Sequence, residues 1–553
     1  MRILICTFLF CLLLVSCHQH PVADRIYMNA KIWTGDSANP AATAIAVKDS
    51  LILYVGNDYQ AFAGSHTALI DLQGKMLVPG FIDNHVHFLD GGYYLASIDL
   101  RNARSKEDFI KIFRKYTDSS KGDAWIKSGN WDHEAWGGEL PRKEWIDSVS
   151  GDHPVFVSRY DGHMGLANSL ALKRAGITKN TKSPPGGEIV KDPKTGEPTG
   201  ILRDEATTLV YKVIPDPSEK ELDEALARAA QHALAHGFTQ VHDMGTYGGW
   251  LDMATYRRAE ASGLLPLRIY SFVAIHSWQK LDSFIKKNGR GDDLLHWGGL
   301  KGFVDGSLGS TTAWFFKPYL DAPGSTGLQV TDTNLLRGWV LSADSAGLQL
   351  ATHAIGDHAN DWILHVYKEA ENQRPNMDHR FRVEHAQHLI PADIDLFSQL
   401  KVVPSMQPYH AIDDGKWAAK RLDTPRLRGT YVFRSLLESK ANLTFGSDWP
   451  VAPLDPIAGI YAAVTRRTLD DRNPGGWFPE QKISVEQALR CYTVNNSWAG
   501  FMENKTGMLK AGMLADFTVL SENLFSIAPE NIRDIKIQLT VVNGKEAFTA
   551  GKN

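Results

Sequence analysis

Two histidines one residue apart stand in Val78-Pro79-Gly80-Phe81-Ile82-Asp83-Asn84-His85-Val86-His87. On a β-strand, residues i and i+2 point to the same side, so His85 and His87 would turn two imidazoles toward one point near the strand's C-terminal end. Two imidazole nitrogens can hold one divalent ion. Alone the pair is weak evidence, because His-x-His arises by chance in many chains. Three later strand-like runs end in further ligand types: His353 in Ala351-Thr352-His353-Ala354-Ile355-Gly356-Asp357, His385 in Val383-Glu384-His385-Ala386, and Asp448 in Phe445-Gly446-Ser447-Asp448-Trp449-Pro450. Any one of them would read equally well as a satisfied core residue. Their recurrence at strand ends points instead to a metal centre, and imidazole nitrogen with carboxylate oxygen suits Zn2+, as one ion or two.

Bringing such positions together needs a parallel sheet. The centre of the chain alternates strand-like runs with amphipathic helices, the pattern of strands joined by crossover helices. Eight core strands are predicted: Phe81 to Phe88, Phe238 to Asp243, Arg268 to Phe272, Lys301 to Asp305, Leu348 to His353, Phe381 to His385, Val402 to Met406 and Leu443 to Asp448. Eight strands close a (β/α)8, TIM-like barrel, whose active sites lie at the C-terminal rim. A helix is predicted over Glu219 to His236, stopped by Gly237. The stretch from 89 to about 215 is too long for one crossover and predicts an insertion after the first strand, whose strand-like runs 124–129 and 155–158 are not barrel staves. Short β-like runs at 25–28, 44–47, 52–56 and 68–72 read as a small antiparallel domain. Runs at 516–520 and 539–544 repeat that style, so both termini are expected to build one composite β-sandwich, from 25–78 and 505–553, around a barrel over 79–504.

The 553 residues carry 59 Lys+Arg against 63 Asp+Glu, a net charge of −4, with 43% hydrophobic residues. That is the balance of a large globular protein, without the basic stripe that nucleic-acid binding requires. Met1 and Arg2 precede an apolar run, Ile3 to Val15, too short to span a bilayer. It ends in Leu14-Val15-Ser16-Cys17, which resembles the lipobox of bacterial lipoproteins. The resemblance implies cleavage of a signal peptide, residues 1–16, lipidation of Cys17, a tether to residue 24, and a lipid anchor in the cell envelope, at the outer membrane facing the periplasm. An ordinary secretory signal with a chance cysteine is the alternative. With Cys6 and Cys11 lost and Cys17 acylated, Cys491 has no disulfide partner.

The order His-x-His, Lys301, His353, His385, Asp448 on strands one, four, five, six and eight resembles the amidohydrolase superfamily. The opening motif, Gly299-Leu300-Lys301-Gly302-Phe303-Val304-Asp305-Gly306-Ser307-Leu308-Gly309-Ser310 and the closing Gly507-Met508-Leu509-Lys510-Ala511-Gly512-Met513-Leu514-Ala515-Asp516-Phe517 narrow the likeness to the branch typified by N-substituted formamide deformylase, over about residues 25 to 548. The resemblance implies a metal-dependent hydrolase acting on a non-peptide C–N bond of a small amide. It further implies that CO2 carboxylates Lys301 to bridge two metals, and that Asp448 serves as general base and then acid. Without it, Lys301 at a strand entrance would read as a solvated surface cation.

His163, in Tyr160-Asp161-Gly162-His163, is the candidate for stabilising the oxyanion; the alternative is that Asp161 and His163 only pin their loop. His242 and Asp243 either support the ligands or cap a turn. Trp131, Trp136, Trp314, Phe315, Phe316, Tyr409 and Trp449 are candidates to wall a pocket for an apolar group, Trp131 and Trp314 foremost, although packing is the commoner use of such rings. No arginine pair awaits a substrate carboxylate or phosphate. An esterase or lactonase of the same fold and a non-catalytic metal- or solute-binding lipoprotein are the rival readings, and a homodimer is left open.

Overall fold

The computed structural model describes residues 21–119, 124–159, 164–184, 187–245 and 248–552. Cys17 and His163 lie outside the described residues. Eight parallel strands form one sheet in chain order: β1 (Phe81–Val86), β2 (Phe238–Asp243), β3 (Arg268–Ala274), β4 (Leu295–Phe303), β5 (Gln349–Ala354), β6 (Arg382–His385), β7 (Val403–Met406) and β8 (Thr444–Phe445). The ring closes between its first and last members: Val86 bridges Trp449 in parallel, Asp448 N–H donates to His85 O at 2.7 Å, and His87 N–H donates to Trp449 O at 2.8 Å. The bonds that shut the barrel therefore belong to the residues that carry its candidate chemistry.

Local signals fix the helices that follow the strands. Ser218 and Glu221 make a reciprocal capping box at the start of Glu219–Ala235, and Gly237, at φ +83°, ends it in the left-handed region that glycine tolerates. Pro391, Pro408 and Pro456 each open a helix at its first turn, where a missing N–H costs nothing. Strands and helices share one apolar core running from Phe81 and Val241 through Leu300 and Leu350 to Phe445 and Leu489.

Between β1 and the helix at 219, the chain forms the helix Phe88–Ala96 and then a separate six-stranded sheet. Ile126–Trp131 and Val155–Arg159 pair in parallel in that sheet, which has a core of its own around Phe109, Trp131, Trp145 and Ile201. A further six-stranded sheet interleaves Lys31–Trp33, Ala41–Ala42 and Met76–Pro79 with Phe517–Leu520, Ile537–Val542 and Lys545–Thr549, and faces a four-stranded sheet from residues 25–71. This is the composite β-sandwich of the two termini. Arg268, at the entrance of β3, clamps it to the barrel through a buried bidentate pair with Asp516, at 2.6 and 3.0 Å.

Three expectations need correction. The N-terminal sheets are mixed, because Arg25–Met28 pairs in parallel with Ala68–Asp71 and Lys31–Trp33 with Met76–Pro79; crossings, not hairpins alone, join the runs. The chain is already packed at Ala23, whose N–H donates to Phe62 O, so residues 23 and 24, expected in a tether, belong to the folded domain. Finally, β4 begins at Leu295, which moves Lys301 from the strand's entrance to near its exit. Gly298 and Gly299 lie inside that strand. They are a tight fit there: a Cβ on Gly299 would lie 2.2 Å from the Phe272 ring, and one on Gly298 2.2 Å from the Arg290 guanidinium.

Candidate metal centre

His85 ends the inward run of β1, and His87 follows as the cap of helix Phe88–Ala96. Lys301 stands near the exit of β4, His353 near that of β5, and His385 closes β6 with φ +73°. Asp448 lies three residues past β8 at φ +60°, held there by its N–H bond to His85 O. These left-handed turns aim His385 and Asp448 inward where a strand would have carried them past the rim.

The side chains converge. His85, His385 and Asp448 each bring one ligand atom within 4.8 Å of the others. Asp448 Oδ1 lies 3.4 Å from His85 Nε2 and 3.5 Å from His87 Nε2, and Lys301 Nζ is 3.3 Å from His85 Nε2. The His353 ring centroid is 4.5 Å from that of His385. All six positions named from the sequence therefore meet at one mouth of the barrel.

Each of the four imidazoles has one nitrogen occupied by the protein. His85 Nδ1 meets Glu384 Oε2 at 2.5 Å, His87 Nδ1 the Gly245 carbonyl at 3.0 Å, His353 Nε2 the Gly306 carbonyl at 3.0 Å, and His385 Nδ1 the Gln407 amide oxygen at 2.9 Å. Every one of these partners is an acceptor. Each ring therefore donates through that nitrogen, so that in its neutral form the lone pair sits on the other, the tautomer that metal ligation demands. The donor set fits a divalent cation.

Electrostatics agree. Burial, then the Lys301 charge, pulls His85 down to about 4 and His353 to about 3, and burial with His353 alongside takes His385 well below its usual value. These rings are neutral at pH 7, as ligands should be. Burial also lowers Lys301 to about 8. For Asp448, burial would raise the carboxyl, but the imidazoles of His85, His87 and His385 hold it well below the ordinary range. His87 behaves oppositely to its neighbours: burial pulls it down, yet its bond to Asp448 outweighs this and leaves it raised.

Behind the first circle lies a buried polar network. Glu384 also accepts from Arg382 Nε at 2.7 Å and Ser405 Oγ at 2.6 Å. Asn84 donates to Ser405 and Thr444, and its amide oxygen meets His242 Nδ1 at 2.7 Å. His242 is thus part of the support, at one remove from the ligands, while Asp243 Oδ1 accepts the Phe88 N–H and fixes the turn after His87. Asp305 accepts the N–H groups of Trp314, Ile355 and Gly356, binding the exits of β4 and β5 together beside His353. Glu384, Gln407 and Asp305 were missed as supports. The signal for Glu384 was its place beside His385, and for Asp305 its place four residues after Lys301 in the same motif.

Of the proposed wall residues, Trp131 is fully buried in the insertion's core, donating its indole N–H to Val157 O at 2.8 Å, which leaves no surface for a substrate to touch. Trp314 is half-buried, its ring centroid 3.8 Å from that of His358. Trp449 and Phe315 are core.

The comparisons agree with this geometry. The amidohydrolase family Amidohydro_3 matches residues 68–548. Protein LONG AFTER FAR-RED 3 of Arabidopsis thaliana is 40% identical over 95% of this chain and 92% of its own length, and putative amidohydrolase YtcJ of Bacillus subtilis (strain 168) is 31% identical over 95% and 99%. N-substituted formamide deformylase of Arthrobacter pascens is 26% identical over 94% and 97%. Among solved structures, an uncharacterized metal-dependent hydrolase from Pyrococcus horikoshii OT3 superposes with a TM-score of 0.76 at 27% identity, covering 92% of this chain and 99% of that one. A barrel whose rim gathers four imidazoles, a lysine and an aspartate, and whose sequence matches along nearly its whole length, leaves one assignment: the chain belongs to the amidohydrolase family.

Proposed function

We propose that the protein hydrolyses a non-peptide C–N bond, of an amide or formamide type, in a small molecule, with Zn2+ held by His85, His87, His353, His385, Asp448 and a carboxylated Lys301. The observation that carries this reading is the set of four imidazoles, each with one nitrogen donating to a protein acceptor and the other left for a cation. Zinc, when bound, would polarise a carbonyl and lower the pKa of water enough to make hydroxide available near neutral pH. The rest falls to the chain. Asp448, beside both His85 and His87, takes the proton of the attacking water and returns it to the leaving nitrogen. Glu384, Arg382 and Ser405 keep His85 in one tautomer while charge moves at the rim. Lys301, buried and lowered to about 8, has a neutral amine fraction able to react with CO2, which an ordinary lysine lacks.

The deformylase likeness, at 26% identity, supports an amide-type bond over an ester. With its mature chain beginning at Cys17, the enzyme would work at the envelope on a lipid anchor; no helix among the described residues is long and apolar enough to cross a membrane. The test is metal analysis of the purified protein together with matched amide and ester panels, repeated for His85→Ala and Lys301→Ala. Zinc at one or two equivalents, amide turnover, and loss of both in His85→Ala are expected. Metal-free protein with undiminished turnover, or esters cleaved in preference to every amide, would overturn the reading.

A further inference from the structure

Phe303 is the last residue of β4. Alternation along the strand puts Lys301 and Phe303 on the same face, so Phe303 stands directly above the lysine at the mouth of the barrel. Its ring centroid lies 5.3 Å from that of His353 and 5.2 Å from Lys301 Nζ. Lys301 is buried, whereas Phe303 is 40% exposed. The side chains of His87, His353 and Asp448 reach solvent there to 27%, 12% and 10%. Among the described residues, the accessible part of the centre thus shows three polar side chains with an open aromatic face beside them. A ring left this open, beside the candidate metal ligands, keeps apolar surface in water until something covers it.

We infer that Phe303 is the specificity-determining surface of this centre, against which a neutral apolar substituent of the substrate, aromatic by preference, packs while the scissile group lies over His87 and Asp448. The inference rests on the proposed reading that substrate enters at this rim. Its commitment to a neutral, apolar group follows from the ring itself, whose exposed hydrocarbon surface is stabilised by apolar contact and offers no partner for a charge. The preference for an aromatic group follows from ring geometry, since offset or edge contacts add to what area burial alone supplies.

The experiment compares N-(2-phenylethyl)acetamide with N-ethylacetamide, which share the same reacting group. Binding to the full chain is measured by calorimetry in zinc-loaded and metal-stripped protein, for the parent, Phe303→Ala and Phe303→Leu, with turnover followed in the same samples. The parent should bind the phenylethyl compound about tenfold more tightly in both metal states. Phe303→Ala should bring the two ligands within about twofold of each other, and Phe303→Leu should give an intermediate ratio, the larger loss falling on the phenylethyl compound. Should the alanine variant fail to fold, the leucine variant decides, with about a threefold fall in the ratio. Equal or undetectable binding of both ligands to the parent, or a phenylethyl preference undiminished in the variants, overturns the inference. Preference without turnover of any amide would sink the hydrolase reading and leave Phe303's role standing; turnover without preference would do the reverse.

Discussion

Replacing Glu384 by glutamine tests whether tautomer control underlies the centre. The carboxylate is fully buried and accepts three hydrogen bonds, from His85 Nδ1 at 2.5 Å, Ser405 Oγ at 2.6 Å and Arg382 Nε at 2.7 Å. Burial would raise its pKa, but Arg382 and His85 hold it well below the ordinary value, so it is ionised at neutral pH. A glutamine has the same shape but only one accepting oxygen. If its oxygen faces Arg382, its NH2 faces His85, which must move its proton to Nε2 and give up the lone pair meant for the metal. If its oxygen faces His85, its NH2 meets the Arg382 N–H donor. Neither orientation satisfies both. Uncoupling a buried ion pair costs about 3–5 kcal/mol, and volume conservation sets Glu384→Gln toward the lower figure. Loss of a ligand's hydrogen-bond support lowers metal affinity about 10–100-fold. Urea unfolding of the metal-free protein reads the first effect, and zinc competition with a chromophoric chelator reads the second. Zinc affinity within twofold of the parent, in a variant that unfolds cooperatively, would refute the tautomer argument whatever the change in stability.

Two further outcomes follow from the same geometry. Because His87 is held above its usual 6.5 by Asp448, it is mostly protonated at pH 6.5 in metal-free protein and must lose that proton to bind zinc. Calorimetry in buffers of different ionisation enthalpy at pH 6.5 should show His87 releasing at least about half a proton per site, with affinity falling as pH drops through its pKa; no difference between parent and His87→Asn would refute this. Gly446→Ala puts a Cβ 2.6 Å from His85 N and 2.9 Å from Asp83 Oδ1, at the seam between β8 and β1. It should cost about 1–3 kcal/mol in urea unfolding and lower zinc content, and a variant indistinguishable from the parent in both would show that the seam yields.

The barrel and its ligands were legible because both follow from short-range rules. A period of two puts His85 and His87 on one side, and strand ends recur at helical intervals, so His353, His385 and Asp448 could be placed at one rim without any knowledge of contacts. Lys301 shows where such rules stop. Its strand starts at Leu295, not at the lysine, and only the Phe272 ring of the preceding strand and the Arg290 side chain, just past the helix that follows it, explain why glycine occupies a strand interior there. Period alone could not have identified Trp131 as core, since exposed and buried rings look alike in sequence; its burial depends on the insertion folding around Phe109 and Trp145.

The deeper asymmetry lies between the ligands and their supports. A metal ligand must be one of few residue types, so its identity shows in the sequence. A support needs only to accept a hydrogen bond, and here the four acceptors are a glutamate, a glutamine and two backbone carbonyls. The backbone carbonyls of Gly245 and Gly306 have no side-chain signature at all, and Glu384 reaches His85 across 299 positions of chain. Substitution of the ligands should therefore abolish the centre outright. Changes at Glu384, Gln407 or the turns at Gly245 and Gly306 should leave the ligand set intact and retune its affinity, and it is at such positions that relatives with the same ligands would differ in metal and in rate.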